Sequence, residues 1–312
     1  MLACGQEREI KRKRDFLEVT DLTREEVLSL FDRARYFKKE RGKNSFSFLK
    51  GKHIGLLFCK PSTRTRVSFE VAILELGGTP LYLSGQSTQI SRGESVKDTA
   101  CVLSRYLHGL VVRTFAQKEV ENYARWFNHP VINALTDSSH PCQALSDYFT
   151  ILEKKRSLEN LILAYIGHPN NVCNSLVLMA DILGVYIRVC SPKEYPLSEE
   201  VRRRMKHPEL LMTGSDPENI ISGADVIYTD TWVSMGDEGK EKERLAIFQK
   251  YQVNESILSL GKKEVFFMHC LPAHRGQEVT DSIIDGQNSI VFDQAENRLH
   301  CQKALLEFLY AG

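Results

Sequence analysis

The stretch 53-HIGLLFCKPSTRTR-66 carries a strand directly into a helix. His53–Phe58 is a short apolar run, too short for a buried helix and closed by polar residues, so it reads as a strand buried in a sheet. Pro61 ends it, and the hydroxyl of Ser62 is placed to cap a helix that opens at Thr63. The turn therefore gathers three hydroxyls (Ser62, Thr63, Thr65) and two guanidinium groups (Arg64, Arg66) where a helix start offers free backbone N–H groups and a positive dipole end. That is an anion site suited to phosphate. The G-x-x-x-x-G-K spacing of a Walker loop is absent.

Outward from this unit the pattern repeats. Short apolar runs at His53–Phe58, Pro80–Leu83, Gly109–Arg113 and Val131–Ala134 are separated by helix-like stretches at about 63–76, 95–107 and 117–127. After a helical stretch through Gln143–Lys155 the alternation restarts, with strands expected at Leu161–Ile166, Val185–Cys190, Leu210–Met212, Asp225–Tyr228, Val265–Met268 and Ser289–Phe292. Strand–helix alternation of this kind gives parallel sheets covered by helices. The expected fold is α/β, two doubly wound parallel-sheet domains of similar size joined by helices, with a boundary near residue 150. The closing segment Gln294–Tyr310 reads as one amphipathic helix that packs back on the first domain. Near the other end, Thr23-Arg24-Glu25-Glu26 forms a capping box with Leu22 and Val27 as its hydrophobic staple, opening a helix to about Lys39. The charges of Lys11–Arg14 ahead of it read as a solvated arm.

Composition excludes several classes. The 312 residues are 42% hydrophobic and 26% charged, and 41 Lys+Arg against 40 Asp+Glu leave a net charge of +1. A nucleic-acid binder held by bulk electrostatics would be strongly basic, so none is expected. No apolar run approaches the ~18 residues of a membrane span, and the opening residues lack the apolar core of a signal peptide. Eight cysteines are scattered without a C-x-x-C pair, which reads as reduced thiols in a cytoplasmic protein.

In open parallel sheets ligands bind beyond the carboxyl ends of the strands, so the residues that follow strands carry the chemistry. Arg113 ends one strand. Asp137–Gln143 follows another, and His140 and Gln143, three apart, share a helical face from which each can donate to one carbonyl oxygen. In the second half, Gly167-His168-Pro169-Asn170-Asn171 turns out of a strand without the G-x-G-x-x-G of a dinucleotide site. Asp230-Thr231-Trp232-Val233-Ser234-Met235-Gly236 and His269-Cys270-Leu271-Pro272 follow two further strands. His140-Pro141-Cys142 and His269-Cys270 lack the paired or helical spacing of zinc ligands, so no metal is expected.

Taken in order, S-T-R-T-R, H-P-C-Q and H-C-L-P resemble the carbamoyltransferase family from residue 15 onward. The first two are similar to aspartate carbamoyltransferases as well, whereas D-T-W-V-S-M-G and H-C-L-P look like the ornithine branch. The resemblance implies transfer of a carbamoyl group from carbamoyl phosphate to the δ-amine of L-ornithine, in trimers or multiples of trimers, in arginine biosynthesis. It implies that residues 1–150 bind carbamoyl phosphate and residues 151–312 bind ornithine. Matched position by position, it assigns Ser62, Thr63, Arg64 and Thr65 to the phosphate, and Arg113, His140, Gln143 and Arg298 to the carbamoyl group. Gln89 would reach in from a neighbouring subunit. Asn171, Asp230, Ser234 and Met235 would bind the amino-acid end of ornithine, with Cys270 and Leu271 facing the reacting amine. Arg113, His140 and Cys270 are the expected catalytic groups, and no cofactor is implied, because the leaving group is already activated. A cis Leu271-Pro272 peptide is also expected. Two alternatives remain: another acceptor, such as aspartate, putrescine or an acylated ornithine, or a non-catalytic anion-binding member.

Overall fold

The computed structural model describes residues 13–233 and 241–310, apart from the side chains of Ser91 and Glu241. Contacts divide the chain into two units, one holding the chain through Leu145 and again from Arg298, the other Ser146–Asn297. The division runs inside two helices.

The first unit opens with helix α1 (Arg24–Glu40). Its cap is reciprocal: the Glu26 N–H donates to Thr23 Oγ1 at 3.3 Å and the Thr23 N–H to Glu26 Oε2 at 2.9 Å. Then come β1 (His53–Phe58), α2 (Thr63–Glu75), β2 (Thr79–Ser84), α3 (Val96–Leu103), β3 (Gly109–Arg113), α4 (Gln117–Trp126) and β4 (Val131–Leu135). The sheet is parallel, in the order β2-β1-β3-β4. Strand β3 is buried along its whole length, which explains why it reads as an uninterrupted apolar run. Between Val112 and Arg113 the register against β4 slips by one residue, a bulge at the strand end that carries a site candidate.

The second unit follows α5 (Pro141–Lys155), which the division enters after Leu145. It contains β5 (Ile162–Ile166), α6 (Asn171–Leu183), β6 (Tyr186–Cys190), α7 (Glu199–Arg204), β7 (Leu211–Gly214), α8 (Pro217–Ile221), β8 (Val226–Thr229), α9 (Glu241–Phe248), α10 (Glu255–Ser259), β9 (Phe266–His269) and α11 (Asp281–Ile284). Its sheet is again parallel, in the order β7-β6-β5-β8-β9. The last helix, α12 (Val291–Tyr310), passes into the first unit at Arg298. There Arg33 forms a two-pronged ion pair with Glu307, both bonds at 2.7 Å, and the buried Lys303 ammonium donates to Glu75 at 2.8 Å.

Two expectations are corrected. Ser289–Phe292 is not a strand: Ser289 makes a single bridge to Phe267, and from Val291 the chain is already helical. The closing helix therefore begins three residues earlier than the apolar pattern indicated. Nor is the basic arm wholly solvated. Lys13 donates to Asp15 at 3.0 Å and to the Ala124 carbonyl at 2.5 Å, and Arg14 grips Glu26 with two bonds of 2.6 Å. Lys11 and Arg12 lie outside the described residues.

In both sheets the strand order reverses beside the central strand, between β1 and β3 in one and between β5 and β8 in the other. These are the switch points at which loops diverge and leave room for a ligand.

Candidate active site

At the first switch point Phe58 pairs with Arg113, and the Cys59 N–H continues the ladder to the Arg113 carbonyl at 2.8 Å. The Ser62–Arg66 turn and Arg113 thus emerge side by side. Ser62 caps α2, accepting from the Thr65 N–H at 3.3 Å. Thr63 and Arg64 are exposed at this helix start, while Thr65 is buried.

Arg298, on α12, points into the same buried layer. Its guanidinium donates to Gln143 Oε1 and, at 3.4 Å, to Thr65 Oγ1. Arg113, His140, Gln143 and Arg298 are each less than a tenth exposed. Burial first, and then the positive charges of Arg298 and Arg113, hold the His140 imidazole well below the ordinary histidine value. A histidine in that setting is neutral near pH 7, and a neutral ring can donate a hydrogen bond to a carbonyl oxygen without giving up a proton. Nearby Cys142 is a core thiol, donating to the Asn133 carbonyl at 3.4 Å and pushed up to about 12 by burial.

Two residues singled out in the sequence behave differently, and a third was not singled out. Arg66 turns away from the anion site, donating to Glu70 at 2.9 Å and lying 3.7 Å from the centre of the Tyr82 ring. Of the two arginines in the turn, Arg64 alone is left for an anion. Gln89 stands exposed on the short 3₁₀ turn Gln89–Arg92, and its backbone carbonyl accepts from Gly93 and Glu94. Lys60, overlooked in the sequence, pairs with Asp137 and lies 4.5 Å from the Phe115 ring, joining the loops after β1, β3 and β4.

Beside the second switch point the β8–β9 register pairs Thr229 with His269, so the next residues, Asp230 and Cys270, meet. The Cys270 thiol donates to Asp230 Oδ1 at 3.0 Å, and the Thr231 N–H reaches the same oxygen at 2.8 Å. Burial and the facing carboxylate push the Cys270 thiol well up, so it is a neutral hydrogen-bonding group and not a thiolate. Asp230 is buried, and its other oxygen accepts from Asn170 Nδ2 at 2.6 Å. Asn171 is half-buried at the first position of α6. Gly167 makes the turn out of β5 possible: its φ is +124°, and a Cβ there would lie 3.2 Å from both Thr229 Oγ1 and Trp232 Nε1. Ser234 and Met235 lie outside the described residues.

The H-C-L-P loop is held from beneath. The Leu271 N–H donates to His269 Nδ1 at 2.9 Å, which leaves the ring proton on Nε2, facing Glu278 Oε1 at 3.1 Å. Leu271 has a positive φ of 58°, and its bond to Pro272 is cis, matching the expectation. Asp230, His269 and Cys270 bring ligand atoms within 4.8 Å of one another, the spacing of a metal centre. Both nitrogens of His269 are already engaged by protein groups, however, so the ring has no lone pair to offer a cation.

A helix start with the chemistry to receive an anion, backed by buried arginines, and a buried carboxylate beside a neutral thiol are each found at a switch point. The carbamoyl-P binding domain of the aspartate/ornithine carbamoyltransferases matches residues 14–153, and their Asp/Orn binding domain matches residues 159–309. The chain belongs to the aspartate/ornithine carbamoyltransferase family. It is 49% identical over 305 residues to the ornithine carbamoyltransferase of Halalkalibacterium halodurans, covering 96% of each chain. It is 47% identical over 306 residues to that of Pyrococcus horikoshii, again covering 96% of each. Among solved structures, the ornithine carbamoyltransferase from Pyrococcus furiosus is similar with a TM-score of 0.92 at 46% identity, covering 96% of this chain and 98% of that one. The anabolic ornithine carbamoyltransferase from Campylobacter jejuni is similar with a TM-score of 0.89 at 39% identity, covering 95% and 98%.

Proposed function

We infer that this chain transfers the carbamoyl group of carbamoyl phosphate to the δ-amine of L-ornithine, yielding L-citrulline and phosphate. Within a family that serves both acidic and basic amino acids, the observation that carries the choice is Asp230. It is a buried carboxylate whose partners among the described residues are all uncharged donors, from Asn170, Thr231 and Cys270, where an aspartate acceptor would need extra positive charge. The relatives named as ornithine carbamoyltransferases support the same choice.

In this reading Ser62, Thr63, Arg64 and Thr65 take the phosphate at the α2 start, where the helix dipole adds to the Arg64 charge. Arg113, neutral His140 and Thr65 donate to the carbonyl oxygen, and Gln143 and Arg298 hold the carbamoyl group. Asn171 and Asp230 receive the α-carboxylate and α-ammonium of ornithine, with Ser234 and Met235 completing that end and Leu271 lining the approach of the side chain. The neutral δ-amine attacks the carbonyl carbon, and negative charge builds on the carbonyl oxygen, where preorganised donors are worth most. The C–O bond to phosphate then breaks, its electron pair leaves with phosphate, and the amine's surplus proton passes to that leaving group. Cys270, a thiol, helps place the amine and takes no proton. No step calls for a cofactor, since positioning alone can supply ~7–11 kcal/mol.

We further propose a homotrimer or a multiple of trimers, with Gln89 of one subunit completing a neighbour's site. Exposure of Gln89 on its turn is compatible with that role. Residues 1–150 would serve carbamoyl phosphate and 151–312 ornithine. A biosynthetic role is supported by the similarity to the anabolic Campylobacter enzyme. A cytoplasmic setting is supported by cysteines spaced without a secreted disulfide frame. Stoichiometric formation of citrulline and phosphate from ornithine, with aspartate, putrescine and an acylated ornithine assayed in parallel, tests the assignment. Preference for any of the other three acceptors would overturn it.

A further inference from the structure

Helix α6 opens on an asparagine whose amide is used at both ends. Asn170 sits in extended backbone (φ −107°, ψ −168°), and its Oδ1 accepts from the Val172 N–H at 3.0 Å and the Cys173 N–H at 3.2 Å. Two backbone donors on that side fix the orientation of the amide, so its NH2 faces the other way, where it donates to Asp230 Oδ2 at 2.6 Å. Capping alone would be served about equally by Ser, Asp or Asn. Among these only Asn carries a second arm, an NH2 separate from the capping oxygen, that reaches the Asp230 carboxylate while Oδ1 accepts both N–H groups.

We propose that Asn170 is a positioning residue for the amino-acid substrate: it fastens the Asp230 carboxylate to the first turn of α6, so that one direction of that carboxylate stays open to the incoming ammonium. The proposal rests on the reading of Asp230 as the group that receives ornithine. Among the described residues Asp230 has three protein donors from three places: Asn170 at α6, Thr231 in its own loop and Cys270 after β9. A carboxylate accommodates about four, so one place remains. Without Asn170 the carboxylate is held at Oδ1 alone and is free to swing about that contact.

Replacing Asn170 with Asp separates the two duties. The introduced carboxyl still caps α6 but meets Asp230 as a like charge at hydrogen-bond distance. Among the described residues, the other titratable groups near Asp230 are Tyr165 from β5, Tyr228 from β8, Cys173 from α6, Cys270 from the loop after β9 and, within 4.8 Å, His269 at the end of β9, whose ring nitrogens are engaged by Leu271 and Glu278. Burial pushes the two tyrosines and the two cysteines upward, so they stay protonated through the neutral range. His269 is common to wild type and variant, so a pH response in the ratio of the two reports the carboxyl pair.

Steady-state kinetics of Asn170→Asp are measured for both substrates between about pH 6 and pH 8.5, relative to wild type. The expected result is a KM for ornithine raised about tenfold or more at the alkaline end, as for loss of a hydrogen bond to a charge. The ratio to wild type should recover toward pH 6, where a shared proton restores a donor, while the KM for carbamoyl phosphate holds; the melting temperature should fall at the alkaline end and recover with the same proton. Asn170→Ser, which keeps a cap but has neither the NH2 arm that reaches Asp230 nor a charge, should raise the KM for ornithine with no such recovery. An unchanged KM for ornithine in both variants, or an equal change for both substrates, would overturn the proposal. Asp230→Asn separates the two failures. If it binds ornithine like wild type, the reading of Asp230 falls; if it loses ornithine while the Asn170 variants do not, only the role of Asn170 falls.

Discussion

Replacing Arg298 with Met removes one guanidinium and little volume. Met keeps a long flexible stem against the buried layer, so the perturbation is chiefly the charge and its donors. Arg298 donates to Gln143 Oε1 and Thr65 Oγ1, and both partners are almost fully buried. Losing a hydrogen bond from a charged group to a buried acceptor costs about 1.5–3 kcal/mol, because Gln143 is left without that donor. In the proposed reading Arg298 holds the carbamoyl group on its way to the transition state, so losing a charged hydrogen bond of that size should lower kcat about ten- to a hundredfold. Arg298 is also the larger of the two charge effects that hold His140 neutral. With its folded value depressed, His140 binds fewer protons folded than unfolded. Its neutral burial therefore stabilises the protein above the unfolded histidine value of about 6.5, and that stability is lost as pH falls. In Arg298→Met the loss should be shallower, because the imidazole can charge more readily in place. The assays are kcat and KM for carbamoyl phosphate, with thermal melts across the acid range. A kcat within about threefold of wild type, with an unchanged acid dependence of melting, would refute the reasoning about this buried layer.

Further outcomes follow from the same geometry. Arg64→Ala should raise the KM for carbamoyl phosphate about tenfold or more while Arg66→Ala changes it little, since Arg66 is committed to Glu70 and Tyr82; steady-state kinetics of the two variants check this. Cys270→Ala should lower kcat without flattening the rise of kcat/KM for ornithine between about pH 6 and pH 8.5, because the titrating group is the substrate's own amine, which in water resembles lysine at about 10.4. Loss of that rise in the variant would mean that a protein thiolate controls the reaction.

Much of this molecule is legible in its sequence, for physical reasons. Strands β1 and β3 appear residue for residue because central parallel strands are apolar throughout and end abruptly in polar loops. The α1 cap is visible because all its parts lie within four residues. Ser289–Phe292 misleads because Ile, Val and Phe favour strands, whereas packing around α12 imposes a helix from Val291. Lys13 reads as solvated because its acceptors at Ala124 and His129 lie more than a hundred residues away.

The site shows the same limits. Resemblance identifies Arg113, His140, Gln143 and Arg298, which the first unit buries in one layer. The reading of the turn from its residues alone groups Arg64 with Arg66, although two positions along a helix turn by about 200°, so both could not face one anion. Asn170 has a local signal, an N-cap type after a strand, but its second bond reaches a residue sixty positions on. No local rule predicts that pairing.

The most direct test of the central claim is the ratio of kcat/KM for ornithine to that for aspartate, with carbamoyl phosphate saturating, in wild type and in Asp230→Asn. A buried carboxylate that selects a cationic amino acid predicts a ratio far above one in wild type. Asp230→Asn should lower it about ten- to a hundredfold through the ornithine term, the cost of losing a charge-assisted bond. A ratio near or below one in wild type, or one that Asp230→Asn leaves unchanged, would contradict the account.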